Sequence, residues 1–179
     1  AIVVAAGSGS RLGASVPKAL VEVAGRSLLQ RSLTQLAAGG AERAVVVVRP
    51  DEQDAFERAL ADAPLPVTLV HGGAERQDSV AAGLVALEGL LGDAEAVVLI
   101  HDAARAFVPA EVVERVITAV RSGADAVIPV VAVSDTIREV DEENSHVIDR
   151  ARLRAVQTPQ GFTRSVIQEA HAELHETGT

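Results

Sequence analysis

Five short apolar runs recur along the chain, each divided from the next by an amphipathic stretch, and no other feature narrows the possible folds as much. Residues 1–5, 44–49, 66–71, 96–101 and 125–133 read as strands, rich in valine and isoleucine and without polar alternation. Continuous apolar strands are expected where helices cover both faces of a parallel sheet. Residues 27–38, 51–63, 79–91 and 109–122 supply those helices. Ser27 and Asp51 are expected as N-caps, Pro109 in a first helical turn, and Gly39 and Gly123 as C-terminal stops. The order βαβα predicts an α/β fold with a Rossmann-like, doubly wound, mostly parallel sheet. At 179 residues, with no repeat or linker, one domain spanning 1–179 is expected.

Residues 135–150 break the rhythm. Two short alternating runs flank the polar segment Asp141-Glu142-Glu143-Asn144-Ser145, which is the pattern of a β-hairpin with a solvated tip. A lone hairpin is marginal in water, so this one is expected to protrude as an arm and pack on a partner subunit. The chain opens in mid-strand without methionine and stops just after a helical run, which suggests trimming at one or both ends, with a C-terminal part of the domain expected to be missing.

Charge and composition exclude several function classes. With 25 acidic and 16 basic residues the net charge is −9, against a nucleic-acid or membrane-surface partner. No cysteine is present, which removes disulfides, thiolate metal sites and cysteine nucleophiles. No apolar run reaches the roughly 18 residues needed to span a bilayer. Of the basic residues, Lys18 is the only lysine; all the others are arginine.

Ligands of open α/β sheets bind beyond the carboxyl ends of the strands, so the loops there hold the candidates. After the first run stands Ala5-Ala6-Gly7-Ser8-Gly9-Ser10-Arg11-Leu12-Gly13, then Pro17-Lys18. Gly7 and Gly9 allow backbone N–H groups to approach a phosphate, and Arg11 and Lys18 add a planar fork and a mobile point charge. The spacing is neither G-x-G-x-x-G nor a Walker A loop, and a structural glycine turn stays open for the loop alone. After the third run Gly72-Gly73 leads through Ala74 to Ser79, which reads either as a ligand loop or as a turn plus N-cap. After the fourth, His101-Asp102-Ala103-Ala104-Arg105 places a carboxylate where it suits Mg²⁺, a cap or a turn, beside an arginine suited to a phosphate. His101 has no second ligand at metal spacing and reads as a packed, hydrogen-bonded histidine. His171 and His175 lack the H-E-x-x-H glutamate and read as a solvated face.

These loops, with Asp135-Thr136, Asp149-Arg150 and Thr158-Pro159-Gln160, fall in the order and near the spacings of the 2-C-methyl-D-erythritol 4-phosphate cytidylyltransferase family, which the chain resembles along its length. The first loop marks only the wider nucleotidyltransferase superfamily; its combination with HDAAR and TPQ is far more specific. The resemblance implies a cytoplasmic, Mg²⁺-dependent enzyme that takes CTP and a polyol phosphate and is a homodimer through the arm. It implies Ala5, Ala6, Gly7 and Gly9 as the nucleotide cradle, Gly73, Ser79 and Ala103 as further nucleotide contacts, and Arg11 and Lys18 as catalytic clamps. Asp102 is implied as metal ligand and substrate contact, Arg105 and Thr136 as polyol phosphate contacts, and Arg150 as a catalytic arginine from the neighbouring subunit. The chain departs from the pattern at Ala74, where some members carry aspartate, and ends before the family's Lys-x-Thr segment. A cytidylyltransferase for another polyol phosphate such as ribitol 5-phosphate, and a non-catalytic nucleotide-binding module, are the alternative readings.

Overall fold

The computed structural model describes residues 1–7, 16–92 and 94–177. In chain order it contains β1 (Ile2–Val4), β2 (Glu22–Val23), β3 (Arg26–Ser27), α1 (Leu28–Ala38), β4 (Ala44–Val48), α2 (Gln53–Ala59), β5 (Val67–His71) and α3 (Arg76–Leu91). There follow β6 (Val97–Asp102), α4 (Ala110–Arg121), β7 (Ala126–Val127), β8 (Val130–Ala132), β9 (Arg138–Val140), β10 (Ser145–Val147), β11 (Arg154–Val156), β12 (Gln160–Thr163) and α5 (Arg164–Thr177).

The six-stranded sheet has the order β5-β4-β1-β6-β12-β7. Strands β5, β4, β1 and β6 are mutually parallel, and β12 runs antiparallel to both its neighbours. The expected mostly parallel, doubly wound sheet is therefore present. Alternation along the strands sorts the core onto two faces. Val3, Val46, Val48 and Leu99 pack with α1, α2 and α4 through Leu29, Leu33, Leu36, Phe56, Val113 and Val116. Ile2, Val45, Val47, Val98 and Ile100 pack on the other face against Val80, Leu84 and Leu87 of α3 and Ile167 of α5. From β1 the chain winds out to β4 and β5, then crosses back to β6 on the other flank. The strand order thus reverses at β1 and β6, and their carboxyl ends open a crevice there.

The expected helix ends hold in part. Ser27 caps α1 in a reciprocal box, its Oγ accepting from Gln30 N while Gln30 Oε1 accepts from Ser27 N, both at 3.1 Å. Asp51 is not a cap: it sits in a 3-10 turn, Pro50–Glu52, its carboxylate taken by Arg49, and α2 begins only at Gln53. Pro109 is the N-cap of α4, one residue before the first turn. Helix α3 begins three residues before Ser79, because Glu75 and Asp78 form a capping box.

Two parts of the sheet differ from the sequence expectation. Residues 125–133 do not form one strand; the chain leaves the sheet at Ile128–Pro129, where proline has no N–H for the ladder, and β8 pairs with β11 instead. Strand β12 has one large apolar residue, Phe162, and a glycine in its middle, so it carries no strand signature of its own. Burial between β6 and β7 makes it a strand. The hairpin is present: β9 and β10 pair antiparallel, and Asp141 N donates to Asn144 O across the tip.

Candidate active site

A cavity of about 830 Å³ occupies the crevice. It is lined by the loops after β1, β4, β5 and β6 and by the 3-10 turn at Lys18–Leu20. Of the residues singled out in the sequence, Ala5, Ala6, Gly7, Lys18, Gly73, Ser79, Asp102 and Ala103 line it together. Gly9 and Arg11 lie outside the described residues. Thr136 and Arg150 stand in the exposed arm and do not line this cavity, and Arg150 Nη1 donates to the Ser134 carbonyl.

The glycine pair after β5 is required by close approach. A Cβ on Gly72 would fall 2.5 Å from Ser79 Oγ and 3.1 Å from Ala6 Cβ, so only glycine lets this loop close on the loop after β1. A Cβ on Gly73 would fall 2.3 Å from Asp78 Cβ, inside the cap that starts α3. Ser79 is buried, and its hydroxyl donates to Glu75 O at 3.2 Å. It lines the cavity, and with its hydrogen given to Glu75 O its oxygen can still accept.

Asp102, at the end of β6, is the electrostatic centre. Arg76 Nε and Nη2 donate to its Oδ1 at 3.2 and 3.1 Å, and Arg105 Nε donates to its Oδ2 at 3.2 Å. Arg105 Nη1 also donates to Gln157 Oε1 at 2.7 Å, which ties the loop to the segment entering β12. Arg76, Arg49 and Gln157 were not picked out in the sequence, and Asp51 only as a helix cap. Arg49 and Asp51 line the cavity, yet nothing in their local pattern distinguishes them from an exposed ion pair. Arg76 sits 26 residues before its carboxylate partner, so only the sheet order brings the two together.

His101 is wholly buried, as the sequence reading had it. Its Nδ1 lies 2.9 Å from Thr158 Oγ1, and the same oxygen accepts from Asp102 N at 3.3 Å. Desolvation pushes its pKa down from 6.5 to about 4, although Asp102 and the Arg105 backbone favour the charged form. The unfolded chain therefore takes up a proton at this residue before the folded one does. Stability is expected to fall as pH drops from about 6.5 towards 4, by on the order of 3 kcal/mol from this group. Denaturant unfolding of the parent and His101→Leu at pH 7 and 4.5 checks this, with a smaller acid loss expected in the variant.

Asp102 has room for one further ligand on Oδ2, since its other oxygen already accepts two N–H groups. Among the described residues no group of three or more His, Cys, Asp or Glu is gathered for a metal ion. A lone carboxylate suits a hard cation that keeps its waters and arrives on phosphate oxygens, and does not suit an all-protein cage. Among the described residues no helix is long and apolar enough to cross a membrane.

The chain matches a family model over residues 1–179, that of IspD, 2-C-methyl-D-erythritol 4-phosphate cytidylyltransferase. A protein of that name from Saccharopolyspora erythraea is 52% identical over 182 residues, covering 100% of this chain and 81% of the relative. Another from Corynebacterium efficiens is 46% identical, covering 99% and 73%. Among solved structures, the 2-C-methyl-D-erythritol 4-phosphate cytidylyltransferase of Thermus thermophilus superposes with a TM-score of 0.76 at 34% identity, over 100% of this chain and 77% of that one. The 4-diphosphocytidyl-2C-methyl-D-erythritol synthase of Anaerococcus prevotii gives 0.81 at 28%, over 99% and 76%. A crevice at the strand-order reversal, lined by Gly7, by the Gly72–Gly73 pair and by the HDAAR carboxylate, and a match along the whole chain lead to one assignment: the chain belongs to the 2-C-methyl-D-erythritol 4-phosphate cytidylyltransferase family.

Proposed function

We propose that the crevice binds CTP along the loops after β1 and β5 and holds 2-C-methyl-D-erythritol 4-phosphate beside Asp102 and Arg105. The observation that carries this reading is the convergence of Gly7, Lys18, Gly73 and Asp102 on one cavity from four separate parts of the chain. The family's reaction joins the two to give 4-diphosphocytidyl-2-C-methyl-D-erythritol and pyrophosphate. A phosphate oxygen of the polyol attacks the α-phosphorus of CTP, and the bond from that phosphorus to the bridging oxygen of pyrophosphate breaks. The attacking phosphate is already ionised, so no general base is required. Catalysis is then mainly alignment of two mutually repelling phosphates and stabilisation of charge on their oxygens.

The residues divide that work. Backbone N–H groups at Ala6 and Gly7 face the triphosphate, with Gly9 and Arg11 continuing the same loop. Lys18 carries its point charge to the transferring phosphate, while Ala103, Gly73 and Ser79 shape the nucleoside end. Arg105 takes the polyol phosphate, and Thr136 and Arg150 complete that side from a second copy of the chain. Apolar side chains on the arm, on the β8–β11 pair and at Ile128 support this dimer. Ile128, Val130, Val131, Val140, Val147 and Val156 are 47–72% exposed, and Val130 and Val131, which alternate across one strand, are both uncovered. Neither the ribitol phosphate nor the non-catalytic reading has an observation in its favour.

Asp102 would hold Mg²⁺ that comes with the triphosphate. When bound, such an ion neutralises charge on the nucleotide's phosphate oxygens. Oδ2 of Asp102, which among the described residues accepts only from Arg105, would be the oxygen that takes it. Pyrophosphate release from CTP and the polyol phosphate is expected to stop in EDTA and return with Mg²⁺. Asp102→Asn is expected to lose at least about tenfold in kcat/KM, with only partial rescue at high Mg²⁺. Full activity in EDTA, or release from ribitol 5-phosphate at an equal rate, would overturn the respective part.

A further inference from the structure

We infer that His101 is a positioning residue, which orders the Asp102–Arg105 loop by fixing the hydroxyl of Thr158. The inference rests on the reading of Asp102 and Arg105 as substrate-side groups.

Thr158 Oγ1 accepts from Asp102 N and is hydrogen-bonded to His101 Nδ1, the direction of that second bond being set by the ring tautomer. Strand β6 otherwise carries only valine, leucine and isoleucine up to this point, and leucine would fill the place. What histidine adds over leucine is a polar Nδ1, and Nδ1 is spent on Thr158.

Thr158 is itself buried and sits next to Gln157, which holds Arg105 at 2.7 Å. The two anchors tie both substrate-side residues to one dipeptide. Asp102 is held through its backbone N–H, Arg105 through its guanidinium. Loss of His101 Nδ1 lets the Thr158 hydroxyl turn away, and the backbone of Asp102 loses its fixed partner. Arg76 and Arg105 still hold the Asp102 carboxylate, so the loop survives but is less well aimed.

In steady-state assays of the full chain, His101→Leu is expected to lower kcat about tenfold and to raise KM for the polyol phosphate severalfold. KM for CTP is expected to rise less than KM for the polyol phosphate, because most of the nucleotide cradle lies on the loops after β1 and β5 and only Ala103 and the Asp102 carboxylate lie on this loop. His101→Asn, whose side-chain amide reaches close to the place of Nδ1, restores most of the loss. Thr158→Val reproduces the same split without touching β6, and keeps the test valid if His101→Leu does not fold. The double variant is expected to be no worse than either single one. Parent-like kinetics in a folded His101→Leu or Thr158→Val, or losses that multiply in the double variant, overturn the proposal. Arg105→Ala is measured alongside: if it too is parent-like, the reading of the loop fails and the inference fails with it. If it is impaired while His101→Leu is not, only the inference fails.

Discussion

Lys18→Arg is expected to lower turnover by about 10²-fold or more, although the charge is kept. Lys18 is the only lysine among the 16 basic residues, and it opens a 3-10 turn on the wall of the cavity. The turn is short and anchored: Leu20 N donates to Pro17 O at 2.8 Å, and Ala19, in its middle, is buried. The stem of the side chain therefore starts from a fixed point, and its reach sets where the ammonium lands. A compact ammonium can follow the charge that builds on one phosphate oxygen, whereas a planar guanidinium needs two acceptors in a fork. Removing one preorganised donor of this kind costs about 2.7–4 kcal/mol of transition-state stabilisation. The loss should sit in kcat, with KM for CTP changed less, and pre-steady-state pyrophosphate release measures it. Parent-level turnover in the variant would remove Lys18 from the chemistry.

Mixing two dead variants, Lys18→Ala and Arg150→Ala, is expected to restore activity. If each site combines the cavity of one chain with Arg150 of the other, a mixed dimer holds one complete site and one that lacks both residues. Random reassociation makes about half the dimers mixed, so about a quarter of all sites recover. The geometry motivates the test, because Arg150 stands at the base of the arm and donates to Ser134 O of its own chain, not to any cavity residue. The arm and the β8–β11 pair, with their uncovered valines, also gain stability when a second copy covers them. The experiment needs proof of exchange, for which differently tagged chains suffice. A mixture that exchanges but stays inactive shows that Arg150 acts within its own chain or not at all.

How much of this could be read from the sequence differs by element. The parallel strands were legible because β1, β4 and β6 are buried on both faces, and only continuous valine and isoleucine satisfies two covering layers at once. The N-cap at Ser27 and the hairpin tip at Asp141 were legible because their partners lie within a few residues. Strand β12 was not, since Gly161 and Thr163 carry no strand pattern and become a strand by filling the gap between β6 and β7. The break at Pro129 was visible as a residue, but its effect on the strand depended on which partner the chain met next.

The candidate site follows the same division. The sequence by itself determined the loops that line the crevice, since glycine pairs, an isolated lysine and an aspartate after a buried strand are local signals. Only the tertiary structure decided how they work together. Asp102 meets Arg76 from 26 residues away and Thr158 from 56, and Arg105 meets Gln157 from 52. The physical reason is the range of each force. Backbone conformation and burial pattern are set by residues a few places apart, whereas ion pairs and buried hydrogen bonds form between whichever groups the sheet order brings within about 3 Å.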